Sequence, residues 1–269
     1  MLQVRLTSAL LLIPVVVFFV YYGGFLFALF LGIVAALALN EFFLMMARQG
    51  DHPLRLLAGG ATALLILHGL LGIDTLDQAA IGLLVVGGLL WELAFYREGA
   101  SMRSWALTIG GVLYISWPLS LGVAMRQIPG DGFAWVVLTA AAIWICDTGA
   151  YFTGRLLGGT LSRGRRFSPR WSPNKSWEGF FGGLGVRIVG TTLLGHWLLA
   201  LVWWQGVLLG LLLGLAAIYG DLAESMVKRR VGVKDSGTLI PGHGGLLDRV
   251  DSILFGAVVV YFFTQWVVY

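Results

Sequence analysis

The 269-residue sequence has few of the residue types that soluble domains expose to water. Only 12% of the residues are charged and only 14 are acidic, whereas 58% are hydrophobic. The single cysteine, Cys146, excludes an intrachain disulfide and shows no metal-ligand pattern, so we interpret it as a small buried residue. No stretch has the composition of a separate soluble domain, and no internal repeat stands out. The composition therefore excludes an ordinary soluble globular domain.

Long apolar runs occur where a soluble protein would have charge. Several of them reach about 20 residues, the length that a helix needs to cross a bilayer. We predict an all-α, polytopic membrane protein with about nine transmembrane helices. The predicted spans are 6–22, 25–47, 55–73, 79–96, 105–125, 133–155, 180–201, 207–227 and 251–268. The first span follows Arg5 without a small-residue cleavage site, so we expect a retained anchor.

Two regions are expected along the chain. Residues 1–132 would form an N-terminal bundle of about five spans. Residues 133–269 would form the catalytic region, with polar loops at 158–179 and 228–250. The active site is expected at the ends of these C-terminal spans.

The basic residues are strongly biased to one side of the predicted topology. All but two of the 18 Lys and Arg residues fall at the N-terminus, in the loops near 50, 100, 165 and 238, or at adjoining span ends. The exceptions are Arg126, on the other side, and Arg187, inside the seventh span. This bias predicts that the N-terminus and both polar loops are cytoplasmic. We expect a bacterial inner membrane as the location.

The stretch from Tyr219 to Ser252 concentrates charge beside apolar sequence. Five Lys or Arg, five Asp or Glu and one His fall within its 34 residues. Charge next to membrane-type sequence is costly unless it has a task. We infer that the task is to hold a polyphosphate and its metal at the membrane surface.

Carboxylates occur at two predicted helix ends within this stretch. Asp221, Ser225 and Lys228 are spaced by four and three residues near the end of the eighth span, so they can share one helical face. Asp248 and Asp251 are three residues apart where the ninth span begins. Carboxylates aimed at one volume suit Mg²⁺, which binds carboxylate oxygens together with substrate phosphates.

Basic residues and glycines lie between these carboxylates. Lys228-Arg229-Arg230 is followed by Lys234 and then by the glycine-rich run Pro241 to Gly245. Glycines let backbone N–H groups approach phosphate oxygens, and basic side chains supply charge. Each feature alone also fits an ordinary explanation: a positive-inside flank, a turn, a solvated histidine or a surface pair that caps the ninth span. Asp221 is different, because it follows a long apolar run and needs a partner or an ion.

The spacing of these residues resembles the signature of the phosphatidate cytidylyltransferases, also called CDP-diacylglycerol synthases. Over 27 residues, every fixed position of that signature is filled. The matching residues are Ser225, Val227, Lys228-Arg229, Lys234-Asp235, Gly237, Ile240, Pro241, His243-Gly244-Gly245, Leu246, Asp248-Arg249, Val250 and Asp251.

Two upstream stretches, 147–155 and 172–179, extend the resemblance. In the second stretch, Asn174 stands where the family often has a basic residue, which leaves Lys175 as the expected phosphate contact. The resemblance covers the chain from about residue 140 onward, whereas the first five predicted spans match only in being hydrophobic.

The resemblance implies a transferase that moves CMP from CTP to phosphatidate, releases pyrophosphate and leaves CDP-diacylglycerol in the membrane. The phosphate of phosphatidate is already anionic near neutral pH, because the second pKa of a phosphomonoester is about 6. A general base is then dispensable, which agrees with the lack of a Ser-His-Asp arrangement. The expected partners are CTP, phosphatidate and membrane lipid, with no nucleic acid. The resemblance also implies a homodimer.

The expected site residues fall into three groups. The catalytic residues are Asp221, Asp248, Lys228, Arg249 and His243. The substrate-binding residues are Lys175, Ser225, Arg229, Lys234, Gly244 and Gly245. The Mg²⁺ ligands are Asp221 and Asp248, supported by Asp251 and Asp147. A second cation is implied by the resemblance alone.

Other functions stay open at the level of the sequence. A CTP-dependent transferase could act on a different membrane lipid. A transporter or flippase of phosphorylated solutes would also place charge near membrane helices, but such proteins more often show repeated halves and mid-membrane breaks. A lipid-binding scaffold would use the basic loops without needing the carboxylates.

Polar residues in the other predicted spans receive simpler interpretations. Glu41 and Glu92 lie near the inner ends of their spans. Either could line a polar cavity, but we expect both to snorkel to the membrane interface. His68 and His196 lie toward the opposite face, and we expect neither to be a ligand.

Overall fold

The structure is a computed structural model that describes residues 2–95, 101–157, 166–242 and 244–269, without the side chains of residues 2–9, 11, 146, 147, 150 and 174. Helices make up most of these ranges, and the one sheet is a short two-stranded hairpin. The predicted all-α class is therefore confirmed.

The helices of the described ranges follow one another through the whole chain. Their bounds are α1 Leu2–Tyr22, α2 Gly24–Ala47, α3 Arg55–Leu71, α4 Asp74–Ala94, α5 Met102–Arg126, α6 Gly132–Leu157, α7 Trp177–Leu199, α8 Trp203–Arg230 and α9 Leu247–Val268. Each of α4, α5 and α9 contains one π-helical turn, at Leu83–Gly87, Val112–Ser116 and Thr264–Val268. The strands are β1 Arg166–Ser168 and β2 Ser172–Ser176, paired antiparallel.

Each predicted span coincides with one of these helices, with its ends shifted by a few residues. In the described part of the chain, five helices are long and apolar enough to cross a membrane, namely α2, α4, α5, α8 and α9. Shorter apolar segments lie within α1, α3 and α6. A polytopic membrane protein is therefore confirmed, whereas the number of helices that cross the bilayer stays a prediction.

Two compact units make up the chain. The first consists of Met1–Pro129 together with Arg230–Val250, and the second consists of Gly130–Arg229 together with Asp251–Tyr269. The polar segment after α8 thus packs with the N-terminal helices. The division into an N-terminal bundle and a catalytic region, at residue 132, concerns function and stays a prediction.

One hydrophobic cluster of the first unit lies where α2, α3 and α5 meet. Ala28, Ile66 and Val123 are buried against one another there. A Cβ atom on Gly69 of α3 would collide with the carbonyl oxygen of Ser120 in α5. The absence of a side chain at this position therefore lets the two helices come into backbone contact.

Glycines also set the packing of helices in the second unit. A Cβ atom on Gly182 of α7 would collide with Thr153 of α6. A Cβ atom on Gly210 of α8 would lie 2.7 Å from the Cα of Ile188 in α7. Small residues at such contacts let membrane helices approach closely, so α7 packs tightly against both α6 and α8.

Arg187 links the same three helices through its side chain. The residue is fully buried in α7. Its guanidinium donates to the carbonyl oxygens of Ala142 at 2.8 Å and Ile143 at 2.8 Å in α6, and of Leu213 at 2.7 Å in α8. A buried cation must be hydrogen-bonded to be tolerated, and these carbonyl groups supply the acceptors.

Candidate active site

A short β-hairpin in the second unit carries Lys175. Strands β1 and β2 pair so that Arg166 lies opposite Ser176. The ring of Phe167 in β1 packs against Trp177 and Phe180 of α7, with centroids 4.8 and 4.6 Å away. These aromatic contacts anchor the hairpin to the start of α7.

Lys175 is held at the point where β2 leads into α7. The next residue, Ser176, caps the helix, because its Oγ accepts a hydrogen bond from the N–H of Gly179 at 3.1 Å. The Lys175 ammonium forms an ion pair with the Asp221 carboxylate of α8 at 2.6 Å. The two side chains are 27% and 40% exposed, so both remain accessible to a ligand. The fold therefore joins two separate sequence motifs.

The last turns of α8 carry the other charged groups of the second unit. The Ser225 hydroxyl donates to Asp221 at 3.3 Å. One turn further, Lys228 and Glu224 form a second ion pair at 2.9 Å, and both residues are buried. Because Lys228 is buried, it does more than add positive charge at the end of the helix. Arg229, in contrast, is exposed.

Asp251 of α9 lies beside this group. Its carboxyl interacts electrostatically with Asp221, Glu224 and Lys228. A Cβ atom at Gly220 would lie 3.0 Å from the Asp251 carbonyl oxygen, so glycine permits this close approach of α8 and α9. Asp221 and Asp251 are thus neighbouring carboxylates within the second unit.

The segment between α8 and α9 carries the glycine-rich motif and belongs to the first unit. The N–H of Ile240 donates to the carbonyl oxygen of Gly244 at 2.9 Å. Gly242 and Gly244 have φ angles of +77° and +85°, a region that favours glycine. His243 lies outside the described residues, so its predicted role is left as a prediction.

Asp248 organises the end of this segment. Its Oδ2 accepts hydrogen bonds from the N–H of Ser236 at 2.9 Å, the hydroxyl of Ser236 at 3.1 Å and the N–H of Gly245 at 2.8 Å. The Gly245 amide is therefore directed at Asp248 in this structure. Binding of phosphate by Gly244 and Gly245 stays a prediction.

Lys234 and Arg249 project from the same unit. Both residues are exposed. Among the residues that the structure describes, neither forms a salt bridge with an acidic side chain. Exposed cationic groups of this kind can form charge-assisted hydrogen bonds to a phosphate.

Comparison with known proteins assigns the sequence to a family. Residues 3–267 match the cytidylyltransferase family. The chain belongs to this family. The match includes the first five helices, so the resemblance extends well beyond the C-terminal half in which the sequence motifs lie.

Three relatives of this family member are named phosphatidate cytidylyltransferase. The protein of Brucella suis biovar 1 is 37% identical over 266 residues, which cover 97% of this chain and 93% of the relative. The protein of Synechocystis is 34% identical over 289 residues, covering 96% and 95%. The protein of Pseudomonas aeruginosa is 36% identical over 280 residues, covering 99% and 97%.

The carboxylates of this cytidylyltransferase fit a hard divalent cation by their chemistry. Asp221 and Asp251 are neighbours in the second unit, and Asp248 belongs to the first. In the described ranges, no group of three or more His, Cys, Asp or Glu side chains is arranged to hold a metal alone. Mg²⁺ usually binds one or two carboxylates and completes its shell with water and substrate phosphates. The Asp147 side chain lies outside the described residues, and sharing of a metal between Asp221 and Asp248 stays a prediction.

One residue of this family member was misinterpreted from the sequence. Glu41 was expected to snorkel to the interface, and that expectation is wrong. The residue is only 7% exposed and accepts hydrogen bonds from Ser236, Leu246 and Leu247. Its partners follow about 200 residues later in the chain, so no local pattern could have revealed them.

Proposed function

We propose that this cytidylyltransferase transfers CMP from CTP to phosphatidate. A phosphate oxygen of phosphatidate forms a bond to the α-phosphorus of CTP, and the bond from that phosphorus to the bridging oxygen of the β-phosphate breaks. Pyrophosphate leaves with that oxygen, and CDP-diacylglycerol remains in the membrane. Because the attacking phosphate is already anionic near neutral pH, the protein needs to position and neutralise charge rather than remove a proton.

The ion pair between Lys175 and Asp221 is the observation that carries this proposal. It joins the hairpin motif to Asp221, the acid of α8 that precedes the signature, at 2.6 Å, and both side chains are partly exposed. An ammonium next to a carboxylate offers one group for a phosphate and one for a cation. When a nucleotide binds with its cation, the phosphate would take the place of the Asp221 carboxylate beside Lys175. The cation would take the place of the Lys175 ammonium beside Asp221.

The remaining basic residues would neutralise phosphate charge. Lys228 and Arg229 lie at the end of α8, while Lys234 and Arg249 are exposed in the first unit. Cationic groups that hold phosphate oxygens in place stabilise the charge that builds up during phosphoryl-type transfer. Ser225 would donate a hydrogen bond to a phosphate or to a metal-bound water.

The candidate Mg²⁺ ligands are Asp221 and Asp248, with Asp251 and Asp147 in support. When bound, Mg²⁺ would offset the negative charge of the nucleotide phosphates. The Asp221 and Asp251 carboxylates interact electrostatically, and Asp248 is oriented by three hydrogen bonds to its Oδ2. A second cation remains part of the proposal through the family resemblance.

The decisive experiment incubates the purified protein with phosphatidate, Mg²⁺ and each nucleoside triphosphate in turn. Pyrophosphate release and formation of a nucleotide-lipid are both measured. Among the nucleoside triphosphates, we expect only CTP to give both products. Activity with a different lipid and not with phosphatidate would instead support a CTP-dependent transferase of another substrate. Release of pyrophosphate without formation of a nucleotide-lipid would contradict the proposal.

The surroundings of the enzyme are proposed from charge and family resemblance. The basic bias supports a cytoplasmic N-terminus and cytoplasmic catalytic loops. A bacterial inner membrane agrees with the bacterial sources of the relatives. A homodimer is proposed from the resemblance, and crosslinking in native membranes would test it.

A further inference from the structure

Glu41 is a buried acid in the largely apolar helix α2. Helix α2 is one of the helices long and apolar enough to cross a membrane, and Glu41 in it is 7% exposed. A carboxylate buried in this way is tolerated only if hydrogen-bond donors surround it. The donors that surround Glu41 come from the signature segment before α9.

Both carboxylate oxygens of Glu41 are engaged by this segment. Oε1 accepts from the N–H of Leu246 at 3.0 Å. Oε2 accepts from the N–H of Leu247 at 2.9 Å and from the Ser236 hydroxyl at 2.9 Å. Leu247 is the first residue of α9. Glu41 therefore satisfies backbone donors at this helix start, where negative charge is favourable.

Two glycines of the signature leave room for this carboxylate. A Cβ atom on Gly237 would lie 2.6 Å from Oε1 of Glu41. A Cβ atom on Gly245 would collide with Oε2 of Glu41 and with the Ser236 hydroxyl. A larger residue at either position would therefore push the Glu41 carboxylate out of its place in the first unit.

Ser236 connects Glu41 to Asp248. Its hydroxyl oxygen lies 2.9 Å from Oε2 of Glu41 and 3.1 Å from Oδ2 of Asp248. A hydroxyl group has one hydrogen, so the two carboxylates share one donor. The other donors to Oδ2 are the N–H groups of Ser236 and Gly245. Every one of these donors belongs to the segment that Glu41 holds.

We propose that Glu41 is a positioning residue that sets the orientation of Asp248 by holding residues 236–247. This inference rests on the proposed function, because Asp248 receives its role as a cation ligand there. Groups that orient a metal ligand typically change metal affinity or activity by about 10- to 100-fold when they are replaced. Glu41 would act in this way from the N-terminal half of the chain.

The test variant is Glu41→Gln, which keeps the shape of the side chain. The amide has one acceptor oxygen and one NH₂ group, so at least one of the donors from Leu246, Leu247 or Ser236 would face another donor. We expect the Mg²⁺ concentration for half-maximal pyrophosphate release to rise by at least about tenfold per folded enzyme. Ser236→Ala is the second variant and should raise this Mg²⁺ concentration by a smaller factor. In the double variant, the increase in this Mg²⁺ concentration should be smaller than the product of the two single increases. Both substitutions act on the hydrogen bond between Ser236 and Glu41, so their effects overlap.

Glu92→Gln is the matched control. Glu92 also lies near the end of an N-terminal helix, and it is half-buried in α4. It has no place in the hydrogen bonds around Asp248 described above. Its Mg²⁺ dependence should stay within about twofold of the wild type, since substitutions away from such networks have small effects.

Hydrogen exchange supplies a readout that does not depend on activity. In wild type, Mg²⁺ with CTP should protect the peptide that contains residues 232–250, and Glu41→Gln should need a higher Mg²⁺ concentration for the same protection. Equal Mg²⁺ dependence of activity and protection in wild type and Glu41→Gln would overturn the inference. A drop in thermal stability alone, with unchanged Mg²⁺ dependence, would also overturn it, because it would assign Glu41 a purely structural role. If wild type released no pyrophosphate with phosphatidate, the proposed function would fail separately, and Mg²⁺-dependent protection would still decide the role of Glu41.

Discussion

Charged side chains near the end of α8 are held in pairs along one helical face. Asp221 pairs with Lys175 from the hairpin, and Glu224 pairs with Lys228 one turn later. The first pair is partly exposed and the second is buried, so they have different energetic roles. An exposed pair is weak and can open for a ligand, whereas removal of one partner from a buried pair leaves an uncompensated charge.

The proposed cation ligands Asp221 and Asp248 should be sensitive to loss of charge. Asp221→Asn and Asp248→Asn keep the side-chain shape but remove a negative charge that the proposed cation needs. We expect turnover to fall by about a hundredfold or more, as loss of several kcal/mol of charge stabilisation predicts. Pyrophosphate release dependent on CTP and phosphatidate, measured over a range of Mg²⁺ concentrations, checks this result.

Asp74→Asn and Asp77→Asn are the controls for these variants. Both acids lie in the first turn of α4, outside the motifs. Their activity should stay within a fewfold of the wild type, provided that all four variants insert and fold. Near-normal turnover in folded Asp221→Asn and Asp248→Asn would remove the basis for the proposed cation site.

The basic residues of the two motifs should affect CTP use. Lys175→Ala and Lys234→Ala each remove a cation proposed to bind phosphate, so the KM for CTP should rise or turnover should fall by about tenfold. Arg55→Ala is the control, because Arg55 is an exposed cation of α3 that hydrogen-bonds Asn40 at 3.1 Å. Steady-state kinetics at saturating phosphatidate separates the three variants. An equal loss in all three would indicate a general effect of surface charge instead.

At the scale of helices, close packing in the second unit depends on glycine. The contact between α7 and α8 brings Gly210 against backbone atoms of Ile188, which cannot move aside as the end of a flexible side chain could. The buried guanidinium of Arg187 ties the same helices through carbonyl groups of α6 and α8. Together these contacts hold the scaffold from which α8 presents Asp221.

Gly210→Ala should therefore destabilise the protein. The added methyl group would lie 2.7 Å from the Ile188 Cα, and overpacking of this kind costs about 1–3 kcal/mol. Thermal unfolding in detergent should show a lower midpoint. Gly185→Ala in α7 is the control, because a Cβ atom there meets nothing within 4 Å. Its midpoint should be unchanged or slightly higher, since alanine favours helices more than glycine does. Equal midpoints for the two variants would contradict the packing argument.

For the whole molecule, the distribution of basic residues predicts one orientation in the membrane. We expect Thr238, an exposed residue of the signature segment, to face the cytoplasm and Thr75, at the start of α4, to face the outside. In a Cys146→Ser background, Thr238→Cys should react with an impermeant thiol reagent only after the cells are opened. Thr75→Cys should react in intact cells. Labelling of Thr238→Cys from outside would reverse the proposed topology.

Much of the helical architecture could be predicted from the sequence. Apolar runs predicted where the helices lie, because a chain in a bilayer must satisfy its backbone hydrogen bonds within each span. The glycine pair between the first two spans marks a real break, since Gly23 and Gly24 have φ angles of +64° and +51°. The signature also identified the family, because its chemistry depends on residues that are close together along the chain.

Only the tertiary structure decided which distant residues hold the site together. Lys175 meets Asp221 because a hairpin anchored on α7 carries it to α8. Glu41 looked like an interfacial acid, yet its carboxylate receives donors from Ser236, Leu246 and Leu247. Periodicity reports which face of a helix is apolar, but it contains no information on which distant segment supplies a buried group with hydrogen bonds. That pairing is determined by packing of the whole chain, where a buried charge is stable only beside the donors that the fold brings to it.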